Sequence, residues 1–331
     1  MQQRSIVVPG KLMLSGEYAV LDGAPAVMAC VDREVRVTGV FGDADEGRLR
    51  ILADTESDWR WRWCENKPEW VEADPPRLID VLMRAFPSPE LVSLSVDSQA
   101  LFDRQRKLGL GSSAAVAVAV GAMLAGDLQP TTIARIAAAH REFQGGVGSG
   151  ADTHAVAQGG VVRFEPGEQF RPMVWPTGLH IQPVVAPRSV STPGRIGRFR
   201  QWQQSNDRSA AMVQLLTRLA LEIAENWMKA RTSGIIDGMR SYLDTMREVS
   251  AAADLGYLQG GHAQLLPLAD ACGVVYKPCG AGGGDVGFAM ANDPEALRRF
   301  GEQALDQGFS VPNWRVGYAK PSGDGVMGAD E

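Results

Sequence analysis

Alternating apolar and polar residues predict β-structure in the first third of the chain. Residues 5–40 hold two runs rich in valine, separated by an Asp-Gly turn signal. Trp59, Trp61 and Trp63 alternate with arginines, which predicts a strand with one face on the core. Further strands are predicted over 91–96, 159–164, 180–186, 274–276, 286–290 and 314–318.

Apolar residues spaced three and four apart predict helices between these strands. From Ser112 to Leu124 the chain is rich in alanine, which predicts a helix of small side chains that lies close to a sheet. Further helices are predicted over 132–143, 212–227, 239–246 and 294–307. Because both halves mix strands and helices, we predict an α+β fold with two domains, residues 1–175 and 176–331.

Composition narrows the class of protein. The 331 residues are 45% hydrophobic and carry a formal net charge of −6, which is typical of a folded protein and argues against a nucleic-acid surface. No apolar run approaches the roughly 18 residues of a membrane span, and the polar start is unlike a signal peptide. Four cysteines without CxxC spacing and four histidines favour a reduced, cytoplasmic protein without a zinc site.

Basic residues are grouped in two places despite the acidic balance. One group precedes a glycine-rich segment, and the other lies in a stretch without acids. The two groups are Arg104, Arg106 and Lys107, and Arg188, Arg195, Arg198 and Arg200. They favour a small anionic ligand, although solvated loop charges are an equal alternative for each group alone.

The segment Lys107-Leu-Gly-Leu-Gly-Ser-Ser-Ala-Ala-Val has the features of a phosphate-binding turn. Two glycines allow close backbone approach, and Ser112 and Ser113 suit the N-cap of the alanine-rich helix. The first N–H groups of a helix lack intrahelical acceptors and attract phosphate, and the hydroxyls suit magnesium. A simple capped turn is the alternative. No Walker A box is present, and two dinucleotide-like GxGxx[GA] matches lack the strand and helix context they need.

Three other glycine-rich segments carry candidate chemistry. Lys11 follows a Pro-Gly break, where its ammonium either projects from a strand edge towards a pocket or belongs to a surface lysine on a bulged strand. Asp152 follows the glycine run 145–150, where it either orients a substrate hydroxyl or caps a helix. The segment 277–287 places five glycines between two predicted strands, which favours close packing against a loop or ligand.

Together these segments resemble the GHMP kinases. The ordered set PGKLMLSGEYAVL, GLGSSAAVAVA, GSGAD and KPCGAGGGDVG spans residues 9–287 in the order of that family. The resemblance implies a ribosomal-S5-like N-terminal domain that binds ATP and a ferredoxin-like C-terminal domain that completes the substrate site. It also implies an ATP- and magnesium-dependent kinase acting on a small molecule, with no nucleic-acid or membrane partner, as a monomer or homodimer.

The resemblance assigns roles to individual residues. Lys11 is expected to stabilise the transferred phosphoryl group, and Asp152 to act as base or orienting group. The residues expected to bind ATP are Lys107, Gly109, Leu110, Gly111, Ser112, Ser113 and Ala114. The expected substrate ligands are Glu17, Tyr18, Ser149, Ser191, Thr192, Arg195, Gly282, Gly283 and Asp285. Ser112 and Glu142 are the expected magnesium ligands, although Glu142 departs by one residue from the mevalonate kinase spacing.

Within the family, details are similar to the phosphomevalonate kinase branch. These are GEYAVL, a lysine shortly before GLGSS, and KPCGAGGGD, with Cys279 where that branch has serine. The expected reaction therefore transfers phosphate from ATP to 5-phosphomevalonate in isoprenoid synthesis. Mevalonate kinase, or another GHMP enzyme of the mevalonate pathway, is the alternative. Two other functional classes are alternatives. In these, the chain is a non-catalytic family member that binds a ligand or, more distantly, a nicotinamide oxidoreductase.

Overall fold

A computed structural model describes residues 1–103, 106–146, 150–165, 167, 169–188 and 194–323. Within them the strands are β1 (Gln2–Ser15), β2 (Ala26–Phe41), β3 (Gly47–Leu52), β4 (Glu56–Cys64), β5 (Lys67–Trp70), β6 (Leu91–Asp97), β7 (Phe102–Asp103), β8 (Arg106–Lys107), β9 (Val161–Glu165), β10 (Gln169–Met173), β11 (His180–Val185), β12 (Val275–Pro278), β13 (Val286–Ala291) and β14 (Ser322–Gly323). The helices are α1 (Arg77–Ala85), α2 (Ser112–Ala125), α3 (Pro130–Phe143), α4 (Ala151–Gln158), α5 (Arg195–Gln203), α6 (Asp207–Met228), α7 (Thr232–Ala252), α8 (His262–Cys272) and α9 (Pro294–Asp306). The predicted α+β class is confirmed.

The chain forms two compact units, and each draws on separated stretches of sequence. The first unit comprises Met1–Lys11, Cys30–Gly160 and the chain from Tyr318 onward, and the second comprises Leu12–Ala29 and Val161–Gly317. The chain passes from one unit to the other within β1 and within β2. The domains expected over 1–175 and 176–331 are each continuous in sequence, whereas each compact unit combines separated segments. The expected domain boundary stays a prediction.

A twisted sheet in the first unit runs in the order β2-β6-β3-β4-β5. Neighbouring strands are antiparallel except β3 and β6, which are parallel. Along β4, Trp61 is fully buried and packs edge-on against Trp70, whereas Arg60 and Arg62 are exposed. The alternation of tryptophan and arginine therefore marks a strand with one buried face, as predicted.

Helices α1 to α4 of the first unit pack against one another, and α2 contacts the other three. Every residue of α2 from Ala117 to Leu124 is buried, which its small side chains permit. At Gly121 a Cβ atom would lie 2.5 Å from Ile136 Cγ1 of α3, so glycine is needed for this close approach. Among the described residues, no helix combines the length and apolar character that crossing a membrane requires.

The second unit contains an antiparallel sheet in the order β11-β13-β12, onto which α8 and α9 pack. Its core includes the aromatic pair Tyr276 and Phe300, with ring centroids 5.5 Å apart. The strand predicted over 314–318 is wrong. Gly317 adopts a φ of 86° and lies against Trp175, so the chain turns where the apolar pattern indicated extension.

Candidate active site

Lys11 and Asp152, both predicted as catalytic residues, meet in the first unit. Lys11 lies in β1 just after Gly10, and its side chain is 10% exposed. Asp152 lies in the first turn of α4, and its side chain is 45% exposed. Lys11 Nζ is 2.8 Å from Asp152 Oδ1. The ammonium is thus held in place by a carboxylate that remains open to solvent on one side.

The N-terminus of α2 lies beside this ion pair. The Lys11 backbone N–H donates to Leu110 O at 2.8 Å. Gly111 is the N-cap residue, with φ 71° and ψ 37°, and a Cβ atom there would lie 3.0 Å from Lys11 Cε. The first helical bond runs from Ala115 N to Gly111 O. The geometry leaves the N–H groups of the first turn without intrahelical acceptors, next to a cation.

Two capping interpretations from the sequence are corrected by this geometry. Ser112 and Ser113 are the first residues inside α2, and neither side chain caps it, because Gly111 takes the N-cap position in the left-handed conformation. Likewise α4 is capped by Gly150, with φ 72°, so Asp152 is not an N-cap. The Asp152 carboxylate and the serine hydroxyls are therefore available for other interactions.

A buried histidine that the sequence did not single out lies behind these residues. His140 of α3 is 3% exposed. Its Nε2 is 3.1 Å from Ser113 Oγ, and its Nδ1 is 3.3 Å from Thr153 Oγ1. Histidine within a helix gives no sequence signal for such contacts, because the partners lie in two other helices.

The remaining predicted residues of the first unit have simpler surroundings. Leu110 and Ala114 are buried, and Gly109 adopts a φ of 69°. Lys107 at the end of β8 and Glu142 near the end of α3 are exposed. Within the described ranges, no group of three or more His, Cys, Asp or Glu side chains is placed to hold a metal. Ser149, Ser191 and Thr192 lie outside the described residues.

In the second unit, Glu17 forms a buried ion pair with Lys277. The side chains are 1% and 0% exposed. Lys277 Nζ donates to Glu17 Oε1 and, at 3.0 Å, to Leu14 O, and it lies 5.2 Å from the centre of the Phe288 ring. Glu17 was predicted to bind substrate, and its burial with Lys277 favours a structural role instead.

The glycine loop 279–285 joins β12 to β13 and is held through its backbone. Tyr18 Oη donates to Ala281 O at 3.1 Å, and Arg195 Nη1 donates to Gly282 O at 2.5 Å. Gly283 N donates to Tyr257 O at 2.7 Å. Burial raises the pKa of Tyr18 to about 12, so the phenol keeps the proton that it donates. Tyr18 and Arg195, two predicted substrate ligands, thus position this loop.

Asp285, at the end of the loop, differs from its neighbours. It adopts a φ of 57° although it is not glycine, and its Oδ1 is buried without a hydrogen-bond partner among the described residues. Its backbone O accepts from Ala186 N at 2.8 Å, which holds the strained position. A carboxylate oxygen with unused acceptor capacity is suited to a ligand that donates a hydrogen bond.

The basic stretch of α5 is largely engaged by the protein. Arg198 Nε donates to Asp254 O at 2.9 Å. Arg200 Nη1 donates to Asp22 Oδ1 at 2.9 Å, and its Nη2 donates to Leu21 O at 2.5 Å. The expectation that the whole stretch serves an anion is therefore too broad, because Arg200 is already paired with a carboxylate.

Comparisons with known proteins show what this chain is similar to. Residues 77–160 match the family described as "GHMP kinases N terminal domain". The chain is 29% identical to the phosphomevalonate kinase of Streptomyces sp. (strain CL190), over 89% of this chain and 92% of that enzyme. It is 29% identical to the mevalonate kinase of Thermococcus sibiricus (strain DSM 12597 / MM 739), over 48% of this chain and 50% of that enzyme.

A solved structure extends the likeness to the whole fold. Streptococcus pneumoniae phosphomevalonate kinase, in complex with phosphomevalonate and AMPPNP, has a TM-score of 0.75 at 18% identity, covering 94% of this chain and 99% of that chain. The predicted resemblance and the predicted fold are both confirmed. Residues 77–160 thus match the GHMP kinase N-terminal domain family, and the chain has the GHMP kinase fold.

Proposed function

We propose that this chain is a kinase that transfers the γ-phosphoryl group of ATP to the phosphate of (R)-5-phosphomevalonate, giving the diphosphate and ADP. One observation carries the choice of acceptor. The similarity to a phosphomevalonate kinase extends over 92% of that enzyme, whereas the similarity to a mevalonate kinase extends over 50%. Sequence likeness over nearly the whole length of a relative supports a shared acceptor more than likeness over half of its length.

The first turn of α2 is the proposed binding site for the ATP phosphates. Gly111 lacks a Cβ atom and turns the chain so that the N–H groups of Ser112, Ser113 and Ala114 begin the helix. These donors and the positive end of the helix dipole stabilise a phosphate group. Lys107 and Gly109 precede the turn, and the exposed Lys107 ammonium adds positive charge for the nucleotide.

Magnesium fits these residues only as a partner of the nucleotide. With no group of three or more His, Cys, Asp or Glu side chains placed for a metal in the described part of the chain, the protein supplies few ligands. Mg²⁺ in kinases commonly takes one or two protein ligands and substrate phosphates, so Ser112 and Glu142 are the proposed protein donors. When bound, the ion neutralises charge that develops on the phosphate oxygens.

Lys11 is the proposed electrostatic catalyst. Its ammonium lies beside the N-terminus of α2 and is almost excluded from solvent, where a charge acts more strongly than in water. The ion pair with Asp152 holds it without reorganisation at the moment of transfer. Its contribution to the rate is the part of its interaction that strengthens as charge moves onto the transferred group.

Asp152 is the proposed orienting group for the acceptor. Its carboxylate is shared with Lys11 at 2.8 Å, so the ion pair fixes its position next to the start of α2. The acceptor phosphate is already anionic at neutral pH, so no strong base is required. For the second unit, the expectation that Gly282, Gly283 and Asp285 bind substrate stays a prediction, and Asp285 Oδ1 has unused acceptor capacity among the described residues.

A coupled ADP-release assay tests the proposal. ATP and magnesium are supplied with 5-phosphomevalonate, mevalonate or 5-diphosphomevalonate in parallel. Turnover confined to 5-phosphomevalonate supports the proposal. Turnover with mevalonate alone refutes the acceptor and retains the kinase, and no turnover with any of the three refutes the proposed function.

A further inference from the structure

His140 joins the starts of two helices of the proposed site, α2 with its phosphate-binding turn and α4 with Asp152. Its Nε2 is 3.1 Å from Ser113 Oγ, in the first turn of α2, and its Nδ1 is 3.3 Å from Thr153 Oγ1, in the first turn of α4. His140 is 3% exposed and Thr153 is fully buried. The contact between His140 and Thr153 is therefore shielded from water, where an unpaired polar group is costly, whereas the contact with Ser113 is partly exposed.

The imidazole of His140 is suited to a bridge of this kind when it is neutral. A neutral imidazole has one donor and one acceptor nitrogen, and each hydroxyl both donates and accepts. Either tautomer thus satisfies both contacts, with one hydroxyl accepting from the ring and the other donating to it.

The bridge closes a ring of contacts around the proposed site. On one side, the backbone N–H of Lys11 donates to Leu110 O, and the ammonium of Lys11 pairs with the Asp152 carboxylate. On the other side, His140 reaches Ser113 and Thr153, the neighbours in sequence of Ser112 and Asp152. Asp152 and the first turn of α2 are thus connected twice, and the connection through His140 does not involve Lys11.

We propose that His140 is a positioning residue that holds Asp152 and the first turn of α2 in register for phosphoryl transfer. The inference rests on the proposed function, since it assigns roles in the same site. Errors of about 1 Å in such positions cost up to about 100-fold in rate. The His140 bridge is the part of the structure that limits this error while Lys11 interacts with substrate.

Packing is the competing role for these residues. His140 stacks with Phe143 at 6.1 Å between ring centres, so replacing it changes the packing as well as the hydrogen bonds. Thr153 separates the two roles. Thr153→Val keeps the volume and removes the hydroxyl, whereas Thr153→Ser keeps the hydroxyl and removes a methyl group. A packing role predicts that Ser is worse than Val, and a positioning role predicts the reverse.

The experiment measures kcat, KM for ATP and Tm for Thr153→Val, Thr153→Ser, His140→Gln and His140→Asn. The amide nitrogen of Gln replaces Nε2 and retains Ser113, whereas that of Asn replaces Nδ1 and retains Thr153. We expect Thr153→Val and His140→Gln each to lower kcat about 10-fold, within the cost of a small displacement. We expect the double variant Thr153→Val/His140→Gln to have a kcat no lower than either single variant, because both changes remove the same contact between residues 140 and 153. Thr153→Ser should match wild type.

His140→Asn should weaken binding of a non-hydrolysable ATP analogue about 10-fold, because Ser113 loses its partner. His180→Gln, at an exposed histidine of β11, is the matched control and should change nothing. A wild-type kcat in Thr153→Val, or unchanged analogue binding in His140→Asn, overturns the proposal. If wild type turns over no acceptor, the proposed function fails, and the analogue affinity of His140→Asn still decides whether the bridge positions α2.

Discussion

The ion pair between Lys11 and Asp152 determines what substitutions of either residue test in the proposed reaction. Asp152→Asn keeps an oxygen for Lys11 and removes the negative charge. We expect kcat on 5-phosphomevalonate to fall less than about 10-fold, because the acceptor has no proton that must be removed. Lys11→Met should lower kcat by about 10²–10³-fold, as the loss of a donor to the developing charge does.

The pH profile provides the control for the role of Asp152. The acceptor phosphate has a second pKa of about 6, so kcat/KM should fall below about pH 6 in wild type and in Asp152→Asn alike. Steady-state assays from pH 5 to 8 measure both. A loss of about 10³-fold in Asp152→Asn, together with loss of the acidic limb, would make Asp152 the general base.

The buried pair of Glu17 and Lys277 is expected to govern stability. Lys277→Met leaves the Glu17 carboxylate without its counter-ion in a site that is 1% exposed, which should cost about 3–5 kcal/mol of unfolding free energy. Glu17→Met combined with Lys277→Met removes both charges and should recover much of the loss. Calorimetric Tm values measure the effect, with Lys229→Met of the exposed Lys229–Glu225 pair as control. A double variant no more stable than Lys277→Met contradicts this account.

At the scale of elements, α2 has glycine in the left-handed conformation at both ends. Gly111 and Gly126 have φ values of 71° and 85°, and alanine at either should cost about 1–2 kcal/mol. Only at Gly111 does the added Cβ meet Lys11, since the nearest atom at Gly126 is Arg4 Nη1 at 3.9 Å. We expect Gly111→Ala and Gly126→Ala to lower Tm by similar amounts. In steady-state assays, only Gly111→Ala should raise KM for ATP and lower kcat. Equal activity in both contradicts the phosphate-binding role of this turn.

Periodicity predicted the elements whose burial is decided locally. The alternation around Trp61, the alanine-rich α2 and the glycine loop between β12 and β13 all follow from neighbours in the sequence. Helix α8 was missed because Pro267 lies inside it. The strand over 314–318 was wrong because Gly317 turns against Trp175, a contact set by tertiary packing.

Contacts between distant parts of the chain were beyond sequence reasoning. Lys277 stands in a recognised motif, but nothing in its neighbourhood indicates that its partner is Glu17. His140 reads as one polar residue near the end of α3, and its contacts with Ser113 and Thr153 depend on how three helices pack. Motif resemblance located Lys11 and Asp152, and only the structure brings their charged groups to 2.8 Å.

At the scale of the whole molecule, the two compact units are interleaved in sequence. A cut after residue 175 removes β14 from the first unit and separates Leu12–Ala29 from most of the second. We therefore expect fragments 1–175 and 176–331 each to lack a cooperative thermal transition by circular dichroism. Mixed or co-expressed fragments should regain one. Cooperative unfolding of the isolated 1–175 fragment would instead support the domain boundary predicted from the sequence.

The product of the reaction tests the central claim most directly. We expect phosphorus NMR of a mixture of enzyme, ATP, magnesium and 5-phosphomevalonate to show, besides the two coupled resonances of ADP, a second coupled pair from the diphosphate of the acceptor, which grows in step with ADP. This pattern requires transfer to the phosphate of the acceptor. ADP formed together with inorganic phosphate alone, or a second uncoupled monoester resonance from transfer to a hydroxyl, would contradict the account.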